Sequence, residues 1–168
     1  KMSWAKATKI LLYCTFFNLV GAVILAYLFN QSFSFLNLKD DSFVVTAATI
    51  KLGKSDWGNF IEGITANMFV NMAIMGYMLL KEESAKIFVA ISAIFMFVFL
   101  INEHLVANFA AFMLLAFNHA KENVETFTLM NILRQWTVVF FANWLGGGLF
   151  IGIAYAWLNQ TKTNHIEQ

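Results

Sequence analysis

Charge is scarce in this sequence. Only 12% of its 168 residues are Asp, Glu, Lys or Arg, about half the share carried by an ordinary soluble domain. The formal net charge is +1 with no block of like charges, so there is no electrostatic footprint for nucleic acid. Cysteine is nearly absent. Cys14 lies in an apolar run without a partner, which excludes a disulfide framework and a cysteine-based zinc site and leaves a packing role. The sequence has no nucleophile elbow, no phosphate-cradling glycine loop and no zinc-protease motif; Gly146, Gly147 and Gly148 sit inside an apolar run and match no phosphate-binding pattern. No enzyme, catalytic residue, metal or cofactor is therefore expected. A cleavable leader is not recognisable either, because Lys1, Lys6 and Lys9 precede an apolar run too long for a signal core.

What the sequence does have is apolar length. Hydrophobic residues make up 60% of it, gathered into runs at 10–29, 60–80, 87–117 and 136–158. A hydrocarbon core of roughly 30 Å needs about 20 such residues, so the expectation is an all-α integral membrane protein, one multi-pass transmembrane domain over 1–168 with four spans. The third run is about half as long again as one crossing requires, and Asn102, Glu103 and His104 stand at its centre. A charge at mid-bilayer costs at least ~2.5 kcal/mol, so this run reads as two half-helices broken near 102–104.

The polar stretch 31–59 contains Phe43, Val44, Val45, Ile50 and Leu52 and is expected to form a short helix capping the membrane end. The face bearing Lys1, Lys6, Lys9, Lys81, Lys86 and Lys162 is assigned to the cytoplasm by its small excess of positive charge.

Two segments resemble each other. Asn18-Leu19-Val20-Gly21-Ala22 in the first run and Asn143-Trp144-Leu145-Gly146-Gly147 in the last read as one helix used twice. Small residues permit close helix packing, which by itself accounts for Asn18, Gly21, Asn143, Gly146 and Gly147. An inverted repeat of three helices with broken segments at the midplane accounts for the match as well. On that reading the first run is the third helix of one repeat, and two helices are expected to precede it.

His104 is the sharpest candidate for chemistry, because a midplane imidazole can hold a proton, donate a hydrogen bond to an anion or change charge near neutral pH. An isolated membrane histidine is also commonly satisfied by a neighbouring helix. Glu103 beside it, and Asn108 four residues on and so on the same helical face, favour a pathway. A half-helix starting near Leu105 points its positive end at the break. Asn67 and Asn71 share one face of the second run, as glue between helices or as pore lining. Lys51, in the loop before that run, is either a solvated lysine or one that draws anions to an entrance. Among 19 phenylalanines, most face lipid or pack; one or two can form a dewetting constriction.

Glu103-His104-Leu105-Val106-Ala107-Asn108-Phe109 resembles the Glu-His-Ser-Ile-Ala-Asn-Met stretch of the formate/nitrite transporters. Gly63-Ile64-Thr65-Ala66-Asn67-Met68 resembles that family's fourth helix. Thr128-Leu129-Met130-Asn131 with Asn143-Trp144-Leu145-Gly146-Gly147-Gly148 resembles its sixth, and Ser3-Trp4 through Asn18-Leu19-Val20-Gly21-Ala22 its third. The ordered set covers nearly the whole chain. The resemblance implies an aquaporin-like inverted-repeat bundle, a homopentamer with one pore per subunit in the bacterial inner membrane, moving small monovalent anions, often with a proton. By position, His104 matches the central pore histidine, Glu103 its neighbouring glutamate, Asn67 the fourth-helix asparagine and Asn108 the asparagine of the same motif. Lys51 matches the vestibule lysine and Phe97 a constriction phenylalanine.

The implied mechanism is that Lys51 attracts the anion, apolar rings strip its water, and His104 offers a proton or hydrogen bond so that a near-neutral species crosses. Ions that stay charged are then disfavoured by the low dielectric. Two features depart from the family. Its second helix, with a broken loop and a threonine facing the histidine, has no counterpart in this sequence. Ile101 and Asn102 stand where the family has glycine and an aromatic residue. Two other readings compete with transport: a membrane haem or redox protein using His104 and His119, and a non-conducting assembly subunit.

Overall fold

The computed structural model describes residues 3–36 and 38–160, with side chains as far as Leu158. Lys1 and Lys162, which entered the topology reading, lie outside the described residues. The chain divides into two compact units. One takes the sequence up to Ser55 together with His104–Thr137; the other takes Asp56–Glu103 and the sequence from Val138 onward. All regular structure among the described residues is helical.

In the first unit, α1 (Trp4–Asn30) starts six residues before the apolar run. Ser3 supplies the reason: its hydroxyl accepts from the backbone N–H of Lys6 at 3.3 Å and caps the helix. The Lys9 ammonium lies 5.6 Å from the Tyr13 ring centre, so the first-turn lysines are carried on the helix. A single turn, α2 (Phe33–Leu36), and a mainly apolar helix, α3 (Phe43–Gly53), follow. Val45, Ala48 and Leu52 recur at helical spacing and pack against Phe112 and Leu115 of α6 (Leu105–Ala116), with Ala120, Val124 and Ile132 closing the core. The stretch after α6 contains a 3₁₀ turn at His119–Asn123. Trp136 stacks on Phe112 at 6.3 Å between centroids and meets Phe109 edge-on at 4.8 Å.

Two buried amides tie these helix ends together. Asn30 donates to the carbonyl of Leu114 at 2.9 Å, while Asn118 donates to the Asn30 side-chain oxygen at 3.0 Å and to the Phe35 carbonyl. Carbonyls at helix C-termini have no intrahelical donor, and these side chains supply one.

The second unit is built on α4 (Asp56–Leu79) and α5 (Glu83–Phe99). It also holds the last turns of α7 (Leu129–Asn143), a π-helical stretch at Trp144–Ile153 and α8 (Ala154–Gln160). Close approach needs missing side chains. A Cβ on Gly63 would lie 2.6 Å from Ala142, and one on Gly146 would overlap the Ile64 carbonyl. α4 therefore meets the π-helical stretch backbone to backbone, and at Gly63 its backbone takes the Ala142 methyl of the α7 end.

The long apolar run is divided where its polar triplet stands. α5 ends at Phe99 and α6 begins at Leu105. The turn between them closes with Asn102 N–H on the Phe97 carbonyl at 3.2 Å and Ile101 N–H on the Val98 carbonyl at 3.0 Å. This pair is a Schellman ending, whose penultimate position takes a left-handed residue and favours glycine. Ile101 occupies it with φ +51°. A β-branched residue is strained there by about 1–2 kcal/mol.

Among the described residues, two continuous helices are long and apolar enough to cross a membrane, Trp4–Asn30 and Leu129–Leu158. The second starts seven residues before the run read at 136–158, because Thr128 receives the Ile132 N–H at 3.0 Å and opens the helix. The other two runs fall short of that standard for physical reasons. Asp56, Asn59, Glu62, Asn67 and Asn71 lower the hydropathy of α4, and the break leaves α5 and α6 each too short for a full crossing.

Candidate functional site

In the first unit, His104 is the N-cap residue of α6, in extended conformation at φ −115° and ψ 124°, and its side chain makes no capping bond. Its carbonyl accepts the Asn108 N–H at 2.9 Å, so Asn108 lies one turn along the same helix and is fully buried. Lys51 sits in the last turn of α3, 8% exposed. A cation is favoured in the last turn of a helix, and the Lys51 charge acts on the His104 imidazole. The short helix expected in 31–59 is thus what carries Lys51 inward: the face that buries Val45, Ala48 and Leu52 brings it along.

In the second unit, the asparagines form one network. Asn143 donates to the carbonyls of Gly63 at 2.8 Å and Glu103 at 2.9 Å. Asn67 donates to the Asn143 carbonyl, and Asn71 donates to the Asn67 carbonyl at 2.8 Å. A Cβ on Gly147 would lie 2.6 Å from the Asn71 amide and 2.8 Å from that of Asn67, so a side chain there would have to displace the two amides. Glu103 is fully buried and Phe97 half-buried at the end of α5. This network fixes the backbone of the residue immediately before His104 to α4 and α7.

The first copy of the repeated segment differs. Asn18 turns its amide back to the Cys14 carbonyl of its own helix at 2.8 Å, and beyond the adjoining backbone of that helix no described atom comes within 4 Å of a Cβ placed on Gly21. The packing seen at Asn143, Gly146 and Gly147 is therefore not reproduced at Asn18 and Gly21 among the described residues.

His119 is exposed at the start of the 3₁₀ turn. The twelve residues of α6, rising about 1.5 Å each, separate it from His104 by roughly 18 Å. Two imidazoles that far apart cannot be the axial ligands of one haem, and among the described residues no three His, Cys, Asp or Glu side chains gather as a metal site.

The sequence model described as "Formate/nitrite transporter" matches residues 1–157. The chain belongs to the formate/nitrite transporter family. Among relatives of this family, it is 30% identical over 159 residues to the uncharacterized transporter YwcJ of Bacillus subtilis (strain 168), covering 95% of this chain and 61% of that protein. It is 34% identical over 149 residues to the nitrite transporter NirC of Escherichia coli (strain K12), covering 88% of this chain and 53% of that one. A solved structure titled "FNT family ion channel" superposes with a TM-score of 0.85 at 29% identity, covering 94% of this chain and 61% of the other. The chain thus spans between about half and three-fifths of the length of these formate/nitrite transporter relatives.

Three features escaped the reading of the sequence. Asn59 is fully buried, Ile101 is left-handed, and Asn30 and Asn118 form a polar lock. For Asn59 a usable signal existed, since it precedes Gly63 by four residues and so shares a helical face with the first residue of the Gly63-Ile64-Thr65-Ala66-Asn67 stretch.

Proposed function

We propose that this chain is part of a channel-like transporter for small monovalent weak-acid anions such as formate or nitrite, linked to protons through His104. The observation that carries the reading is the buried Lys51 ammonium acting on the His104 imidazole at the head of α6. A buried cation, a helix N-terminus and an imidazole together create a region of positive potential that favours an anion. In this reading Lys51 draws the anion inward and the imidazole hands it a proton taken up from the side of entry. The acid that forms is neutral, the histidine is left neutral, and the next proton again comes from the side the anion entered, so anion and proton cross together. Neutralisation removes most of the cost of carrying the ion through low dielectric. Asn108, one turn along α6 from His104, is proposed as a pore residue, and Asn67, Glu103 and Phe97 are proposed as pore residues by their positions in the family pattern, with Phe97 in a constriction.

The surroundings proposed are a bilayer. Leu12, Phe16 and Phe17 on α1 and Phe88, Ile91, Phe95 and Phe99 on α5 are all more than half exposed, a density of apolar surface that water does not tolerate over so large an area. Multi-pass insertion in a bacterial inner membrane, an aquaporin-like inverted repeat and a homopentamer complete the proposal, supported by the family membership.

The test is proton movement accompanying formate. Proteoliposomes carrying the full-length parent protein and an internal pH dye should acidify when formate is added, and a His104→Phe variant should lose the signal. Equal acidification by the assembled variant and the parent would overturn the role of His104.

A further inference from the structure

One buried amide of the second unit stands apart from the network around it. Asn59 is 0% exposed, and neither its Nδ2 nor its Oδ1 has a hydrogen-bond partner among the described residues. The other two asparagines farther along α4 show that this helix can satisfy such groups: Asn67 donates to the Asn143 carbonyl, and Asn71 to that of Asn67. Asn59, Gly63 and Ala66 recur at i, i+4 and i+7 and share the buried face of α4. That face carries the Gly63 carbonyl, which Asn143 links to the carbonyl of Glu103. Asn59 therefore lies about one turn, roughly 6 Å along the axis, from the backbone that holds the helix break.

A buried amide with both ends open is disfavoured, and native proteins meet such groups with water or a ligand. The chemistry of the occupant follows from the amide, which offers two N–H donors and one carbonyl acceptor on the same plane. A molecule that presents an acceptor and a donor side by side fits both ends at once. The protonated form of a small weak acid does so: its carbonyl or nitroso oxygen accepts from Nδ2–H and its hydroxyl donates to Oδ1. Chloride has no donor and can meet only one end.

We propose that the Asn59 amide is a binding station for the neutral acid form of the transported species, held by this pair of hydrogen bonds. The inference rests on the weak-acid reading of the preceding subsection and adds a recognition residue that acts on the substrate directly.

The side-chain amide of Asn59 supplies a readout independent of transport. In the ¹⁵N-labelled full-length protein in micelles, its resonance pair is identified as the one absent from both Asn59→Ser and Asn59→Gln variants. Mildly acidic formate should shift it saturably. Formamide, a neutral molecule with the same donor and acceptor arrangement, should do the same, and chloride at equal ionic strength should not. An Asn59 resonance that ignores formate and formamide, as it would if water alone occupies the amide, overturns the proposal, as does an equal shift with chloride. In proteoliposomes, Asn59→Leu should raise the half-saturating formate concentration about tenfold, the equivalent of one hydrogen bond. Absence of flux in the parent protein would count against the transport reading, whereas an unchanged half-saturation in a conducting variant would count against the Asn59 station.

Discussion

The Asn143 amide donates to the Gly63 carbonyl at 2.8 Å and, with its other proton, to the Glu103 carbonyl at 2.9 Å. One side chain on α7 thereby holds α4 and the segment that leads into His104. Removing it deletes two buried hydrogen bonds, each worth about 0.5–1.5 kcal/mol. Asn143→Ala should lower unfolding stability in detergent by about 1–3 kcal/mol, and Asn143→Asp, which loses both donors, by a comparable amount. A loss below about 0.5 kcal/mol in either variant would show that the link is not structural.

The glycines of the π-helical stretch should separate by their contacts rather than by their order. A Cβ on Gly146 would overlap the Ile64 backbone, which cannot swing aside, whereas one on Gly148 would meet the Trp144 ring at an ordinary 3.6 Å. Gly146→Ala should therefore cost more than about 2 kcal/mol or abolish recovery of folded protein. Gly148→Ala should stay within about 0.5 kcal/mol of the parent. Thermal unfolding of the pair in the same detergent is the check, and equal behaviour would contradict the close approach.

Ile101 gives a prediction of unusual sign. At φ +51° an alanine keeps the left-handed penalty of about 1–2 kcal/mol, and a glycine does not. Ile101→Gly should be more stable than Ile101→Ala by about 1 kcal/mol, the reverse of the order inside a helix. Chemical unfolding of both variants decides it.

Much of the centre was legible in the sequence, and for a definite reason. Asn102, Glu103 and His104 interrupt an apolar run where a continuous helix would bury charge in lipid, so the break and the start of α6 at Leu105 follow from cost alone. The inward placement of Lys51 was legible only through the family pattern, since a lysine on a short amphipathic helix is usually solvated. The left-handed Ile101 was not legible from its own residue type, because a β-branched side chain argues against that conformation. Sequence likeness alone also treated Asn18 and Asn143 as equivalent, whereas one bonds its own helix and the other bridges two segments. That difference depends on the neighbours each helix finds, which periodicity does not encode.

Lys51 should matter through its charge. Lys51→Gln keeps length and polarity but removes the positive field at His104, so formate flux at low concentration should fall about tenfold, a loss near 1.4 kcal/mol. Lys51→Arg should retain more of it. Flux measured at subsaturating formate, with protein recovery as the control for folding, tests this.

The most direct test of the whole account is the selectivity of uptake into proteoliposomes bearing the full-length parent protein, with formate, nitrite and chloride offered in turn at the same ionic strength. The account predicts saturable formate and nitrite uptake that is faster in acid, with chloride uptake near that of empty liposomes. Chloride uptake equal to formate, or no uptake of any of the three by a correctly assembled protein, would contradict it.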